Sequence, residues 1–244
     1  MKTSSQSNTA LTIGRVTAAW AETQGLKTFY SPELSSTNNT AKEMALEDEV
    51  SEHDYVLHLT DYQTAGRGRF DRKWEPTKNG ASLLSTWSFA VNDPPAPQAT
   101  IRIGLGLITA LQATWPFLNF ELKAPNDVLI DGNKLAGLLV ETVSQGTQHR
   151  LLIGLGINVL AGPSGLIGTT NLLAELAKNK SPFIGDDWML FCERLFFELC
   201  AALSEINGEF NETTKKSILL YLNKGRSATE SFTDFDSVIE EMDL

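Results

Sequence analysis

The chain has 244 residues, 42% of them hydrophobic and 20% charged, the balance of a globular protein with enough apolar material for one large domain. Its 30 acidic and 20 basic residues leave a net charge of −10, which argues against nucleic acid or an anionic membrane as the main partner. The apolar runs are too short to span a bilayer and the polar start lacks a secretory core, so a cytoplasmic protein is expected.

Residues 1–25 are polar, then weakly amphipathic from Leu11 to Gln24, and read as an N-terminal extension with one helix. Leu26–Tyr30 is a short strand. Ser35, Ser36, Thr37 and Asn38 offer helix N-caps, Thr40 and Glu43 have capping-box spacing, and helix is expected to about Glu47. Asp54–Thr60 alternates and is rich in β formers, which predicts a strand. Residues 61–80 hold Gly, Arg, Lys and Asp without apolar periodicity, the composition of a long loop, and loops of that length are functional or mobile. Ala81–Ala90 reads as strand, and 98–115 as helix ended by Pro116. Asn119–Lys123 and Val128–Ile130 are strands. Asp131–Gly132–Asn133 is a hairpin signal leading into Lys134–Val143, and Gln145–Gly146 turns that strand into Arg150–Leu160. Helices follow at about 170–178, 184–207 and 212–222. The second of these carries both cysteines, Cys192 and Cys200, about 12 Å apart along a helix and too distant to pair. The acidic tail Ser227–Leu244 is expected to be poorly ordered. Helices at both ends and a largely antiparallel mixed sheet between them predict an α+β fold. The domain is placed at 26–222, with 223–244 as a tail.

The densest chemistry lies in Gln63–Thr64–Ala65–Gly66–Arg67–Gly68–Arg69–Phe70–Asp71–Arg72–Lys73–Trp74, directly after a predicted strand. Glycines let backbone approach a ligand, arginines form paired bonds to carboxylate or phosphate, and an indole stacks on planar rings. A solvated basic loop is the bland alternative, and the acidic surroundings weigh against it. No phosphate-binding loop of the GxxxxGK[ST] kind is present, so side chains must hold any phosphate. Lys134, just past a hairpin turn, points into a cleft or merely flanks the turn. Gly137 and Gly156, inside strands, mark either close ligand approach or tight packing. Asn126 and Asn158 suit phosphate, metal or ribose, although Asn126 beside Pro125 also suits a plain turn. His53, His58 and His149 lack metal-ligand spacing, and no protein metal site is expected.

Five segments in order resemble the biotin protein ligases. Ser36–Thr37–Asn38 resembles their STN motif, Gly66–Trp74 their GRGRxGRxW loop, and Lys123–Asp127 their KWPND motif. Lys134–Glu141 resembles the KLAGILVE strand and Gly154–Val159 the GIGINV strand. The resemblance implies a catalytic domain of the biotin/lipoate ligase type, related in fold to class II aminoacyl-tRNA synthetases. It implies activation of biotin by ATP with Mg²⁺, then transfer to a lysine of a biotin carboxyl carrier protein, such as a subunit of acetyl-CoA carboxylase. Lys134 and Arg67 are then expected to stabilise charge during catalysis. Ser36, Thr37, Asn38, Gln63, Gly66, Arg67, Arg69, Gly137 and Gly156 are expected at biotin, with Ser36, Thr37 and Gln63 facing its ureido ring. Arg69, Arg72, Trp74, Lys123, Asn126 and Asn158 are expected at the nucleotide. The loop 62–73, with no apolar anchor between Tyr62 and Phe70, is expected to be mobile without ligand and to close over biotin.

The chain departs from the family pattern at Asp71, which replaces a glycine, and at Ala124, which replaces a tryptophan. Residues 223–244 are too few for the family's small SH3-like C-terminal barrel, and 1–25 too few for a DNA-binding helix-turn-helix, so no DNA or membrane partner is expected. A homodimer is left open. The competing readings are a lipoate or octanoate ligase and a catalytically impaired paralogue that binds biotin.

Overall fold

A computed structural model describes residues 11–70, 72–75, 77, 79–96 and 98–241. Its strands are β1 (Lys27–Leu34), β2 (Tyr55–Gln63), β3 (Ser82–Val91), β4 (Phe120–Lys123), β5 (Asp127–Ile130), β6 (Asn133–Gln145) and β7 (Gln148–Asn158). They form one sheet in the order β1-β2-β3-β7-β6-β5-β4. β1 and β2 run parallel, and all other neighbours are antiparallel. The β5–β6–β7 meander follows from its turns: Asp131 and Gly132 take φ of 46° and 75°, and Gly146 takes 61°, the left-handed values that tight hairpins require.

The helices are α1 (Ile13–Thr23), α2 (Thr37–Met44), α3 (Asp48–Ser51), α4 (Ala99–Thr114), α5 (Leu172–Lys178), α6 (Gly185–Ser204), α7 (Glu212–Asn223) and α8 (Phe235–Glu241). Successive residues of a strand face opposite sides of a sheet, and β3 sorts the helices accordingly. Trp87 faces the apolar side, its ring 6.2 Å from Trp20 of α1 and 6.0 Å from Phe196 of α6. Thr86 faces the other way and donates to Asn38 Oδ1 at 2.6 Å on α2. The apolar side holds the core, where α6 packs on α4 and on α1. There the Trp188 indole N–H donates to Thr17 Oγ1 at 3.1 Å. The N-terminal helix is thus built into the core through Trp20 and Ala21, both buried. The opposite side is polar, with α2 packed on β2, β3 and β7.

Two local expectations are corrected. α2 begins at Thr37, which puts Thr40 inside the helix instead of at its cap. Ser36 is the N-cap but its side chain makes no capping bond; the Gln63 side chain, from the end of β2, accepts the Thr37 N–H at 2.8 Å instead. The tail is also folded as far as Glu241. Phe232, Phe235 and Val238 recur at three-residue spacing and are buried, and Phe235 lies 4.8 Å from Phe210. The acidic composition of the segment masks that apolar stripe.

Candidate functional site

The open polar side of the sheet carries a cavity of about 370 Å³. A β-bulge aims its central lysine. Val128 pairs with Ala136 but Leu129 pairs with Lys134, so Leu135 is an extra residue in β6. In a regular strand Lys134 and Gly137 would face opposite sides. The inserted residue puts them on the same side while Leu135 stays fully buried in the core. Lys134 Nζ then reaches Asp127 Oδ1 at 2.7 Å and lies 5.7 Å from the centre of the Trp74 ring. The backbone of Lys134 is held by Gly168 O and Thr170 N at 2.8 and 2.9 Å. Of the two readings of this residue, the geometry selects the cleft.

Glycines keep that floor flat. Gly137 and Gly156 are paired across β6 and β7. A Cβ at Gly156 would come within 2.7 Å of the Trp74 ring, and one at Gly137 within 3.3 Å of Lys134 Nζ and Asp127 Oδ1. Both glycines therefore make room for the side chains that border the cavity. Gly154 does the same for Asn38, whose Oδ1 would lie 2.1 Å from a Cβ there.

The inner end is neutral and polar. Ser36, Thr37 and Asn38 line it, each at most 3% exposed. Thr86 Oγ1 donates to Thr37 Oγ1 and Asn38 Oδ1, while Asn38 Nδ2 donates to Leu139 O at 3.3 Å. Gln63 and Ser85 complete this end. Such a network holds donors and acceptors in fixed directions, as recognition of an uncharged polar ring requires.

The outer end is cationic. Arg67, Arg69, Arg72, Lys73, Lys123 and Lys134 line the cavity, with Asp127 as its one carboxylate among the described residues, in a protein of net charge −10. Among the described residues, Arg69, Arg72, Lys73 and Lys123 form no ion pair, whereas Arg67 pairs with Glu141 at 3.1 Å. The loop carrying these groups is closed on itself: Gly68 N donates to Arg72 O at 2.7 Å, and Trp74 N to Gly66 O at 3.1 Å. Two contacts tie the loop to its surroundings: the Arg67–Glu141 pair, and the Ala65 N–H, which donates to Ser35 O at 2.8 Å. The departure at Asp71 lies outside the described residues. Ala124 lines the cavity between Lys123 and Pro125.

Ser36, Thr37, Asn38, Gln63, Arg67, Arg69, Arg72, Trp74, Lys123, Asn126, Lys134, Gly137 and Gly156 are thus brought to one cavity. Gly66 borders the adjoining space on the outer side of the loop. Asn158 is 2% exposed and does not line the cavity; its Nδ2 donates to Thr170 O at 3.1 Å. Asn126 lines the wall while its Nδ2 holds Leu138 O at 2.7 Å. Sequence reasoning gave no role to Asp127, Thr86, Gly154 or Glu141. Asp127 and Glu141 stand inside quoted motifs, so their position was visible. Thr86 carries no local signal, because only the folded register brings it under α2. Among the described residues, no group of three or more His, Cys, Asp or Glu could hold a metal ion, and no helix is long and apolar enough to cross a membrane.

Comparison with known proteins places this geometry among relatives. A model of the Biotin/lipoate A/B protein ligase family matches residues 30–158. Over 141 residues the chain is 32% identical to the bifunctional ligase/repressor BirA of Bacillus spizizenii, covering 57% of this chain and 42% of that protein. It is 33% identical over 128 residues to the biotin--[acetyl-CoA-carboxylase] ligase of Mycobacterium tuberculosis, covering 50% of this chain and 46% of that one. The chain therefore spans less than half the length of these relatives. Among solved structures, the biotin protein ligase of Aquifex aeolicus in complex with biotin and ATP superposes with a TM-score of 0.58 and 25% identity, covering 79% of this chain and 78% of that one.

Proposed function

This chain belongs to the biotin/lipoate A/B protein ligase family, and on that premise we propose that it activates biotin with ATP and passes the biotinyl group to a lysine of a biotin carboxyl carrier protein. The observation that carries this reading is the polarity of the cavity. A neutral hydrogen-bonding end formed by Ser36, Thr37 and Gln63 adjoins an end lined, among the described residues, by six cations and one carboxylate. The first suits a ureido ring and the second a carboxylate meeting a triphosphate. A lipoate or octanoate site needs a long apolar slot in place of the polar end. The relatives named as biotin ligases, and the Aquifex structure with biotin and ATP, support the same choice.

In the first step a biotin carboxylate oxygen attacks the α-phosphorus, the bond to the bridging oxygen breaks, and pyrophosphate leaves with that electron pair. In the second the carrier amine attacks the acyl carbon, loses a proton, and AMP leaves. Charge grows on phosphoryl oxygens in the first step, so a preorganised cation is the main device. Lys134 is that cation, held on the floor by the bulge and by Asp127. Arg69 and Arg72 face the phosphates, and Lys123 and Asn126 the nucleotide from the opposite wall. Trp74, lying on Gly156, offers an indole face to a planar ring. Asn158 acts at one remove, by holding the 170 segment against Lys134. Asp127 is the carboxylate of the cavity among the described residues and would help hold Mg²⁺ brought with the phosphates, since that ion keeps most of its waters and needs few protein ligands; the ion would supply neutralisation of phosphate charge. Keeping water from the mixed anhydride falls to the loop that carries Arg67 and Trp74.

Thermal melts with biotin, ATP and lipoate test the assignment. Biotin at a hundred times its Kd stabilises by about 2.7 kcal/mol, a readily measured rise in Tm. Stabilisation by lipoate without any by biotin contradicts the assignment.

A further inference from the structure

Glu141 ends the motif stretch Lys134–Glu141 within β6. It lies on β6 two and four residues beyond Leu139 and Gly137, so it shares their side of the sheet. Its carboxylate gathers every group at the junction of strand, helix and loop. Oε2 accepts from Asn38 Nδ2 at 3.0 Å, and Oε1 from Lys42 Nζ at 3.1 Å. Arg67 spans both oxygens, NH2 to Oε1 at 3.1 Å and NH1 to Oε2 at 3.4 Å, while NH1 also donates to Asn39 Oδ1 at 2.8 Å.

We propose that Glu141 is a positioning residue for biotin activation: it clasps Arg67 against α2 and β6, and so fixes the loop that presents Arg69 and Trp74 to the cavity. The inference rests on the biotin reading above. Its physical basis is a division of labour among the loop cations. The Arg67 charge is met by a carboxylate that is only 16% exposed, and its guanidinium is directed at Asn39 and Glu141. A planar fork held by two oxygens and an amide resists rotation better than a point charge would. Arg69 and Arg72, which form no ion pair among the described residues, stay available to anions. The loop closes on itself through Gly66, Gly68, Arg72 and Trp74. Arg67 ties one side of this ring to β6 by an ion pair while Trp74 lies on Gly156 at the other, so fixing Arg67 helps to orient the ring. Burial pushes the Glu141 carboxyl up, but the bonds from Asn38 and Lys42 and the Arg67 charge outweigh that and hold it below the usual range. The clasp is therefore ionised at neutral pH.

A clasp of this kind touches no reacting atom and acts by ordering the loop, so its loss is expected to show first in loop opening and in KM. It is tested with Glu141→Ala, Glu141→Gln, Arg67→Ala and the double alanine variant. Chymotrypsin cleavage after Phe70, 80% exposed at the loop tip, reads loop opening without any ligand. Pyrophosphate release reads KM for biotin and kcat. Each single alanine variant is expected to speed cleavage several-fold and to raise KM about tenfold, a coupling of ordinary size for a contacting pair, and Glu141→Ala, which removes no group that lines the cavity, to keep kcat within about tenfold. The double variant should be no worse than either single one, and Glu141→Gln, which keeps an acceptor for Arg67, should fall between parent and Glu141→Ala. Unchanged cleavage in the Glu141 variants overturns the clasp. So does a double variant whose KM rise is the product of the two single rises, since Arg67 would then act on substrate by itself. A parent that releases no pyrophosphate overturns the biotin reading, and the cleavage comparison still decides the clasp.

Discussion

At the scale of single residues, the site turns on Lys134 and on how the backbone aims it. The residue type and its place after a hairpin are visible in the sequence, but its direction is set by one inserted residue, Leu135, that no local pattern announces. If its ammonium stabilises charge that appears only during adenylation, its loss lowers kcat with little effect on binding. Lys134→Ala should keep biotin affinity within a few fold and reduce pyrophosphate release by ~100-fold or more, the loss typical of one preorganised donor. Lys134→Arg should restore little, since a planar fork does not replace a compact charge packed beside Asp127 and Gly137. Near-parental turnover of the alanine variant would make Lys134 a bystander. His58 carries a separate prediction about pH. It is 1% exposed, its ring lies 5.1 Å from Phe29 in a stacked pair, and neither nitrogen has a partner. Burial, with the Arg150 charge adding to it, lowers its pKa to about 4 from 6.5. The folded state holds it neutral, so its stabilising effect is complete above pH 6.5 and is lost as pH falls towards 4. The loss amounts to about 3 kcal/mol at most. His58→Phe, which keeps a stacking ring and removes the titration, should flatten the fall in stability across that window, measured by urea unfolding at several pH values. Parallel stability curves for parent and variant would contradict this.

At the scale of elements, the strands with tight turns were legible because turn chemistry punctuates them. Asp131–Gly132 and Gly146 fix the meander almost to the residue. Elements defined by distant partners were not. Ser36, one of the N-cap residues visible in the sequence, does begin α2, but the capping partner is Gln63 from the end of β2, and the capping-box spacing of Thr40 and Glu43 falls inside the helix. The tie from the loop after β2 to Glu141 was not legible, because the two lie more than seventy residues apart. α8 was hidden because acidic residues dominate the composition around three spaced apolar ones. Its burial leads to a direct test: Val238, fully buried, should not tolerate a charge. Val238→Asp should destabilise the fold by roughly 3 kcal/mol, the cost of an unpaired polar group in an apolar site. An unchanged urea midpoint would mean that this helix does not pack on the domain in solution.

At the scale of the whole molecule, the arrangement separates charge. An acidic chain collects six cations around one cavity and places a neutral polar network beside them. The sequence motifs announced the cations and the neutral groups separately, and only the sheet register brings the two ends together on one face. That juxtaposition is the centre of the account, and steady-state pyrophosphate release measures it most directly. With ATP and Mg²⁺ present, release should depend on biotin, saturate with it, and not be supported by lipoate. Biotin that binds without any release of pyrophosphate, or release supported by lipoate and not by biotin, would contradict it.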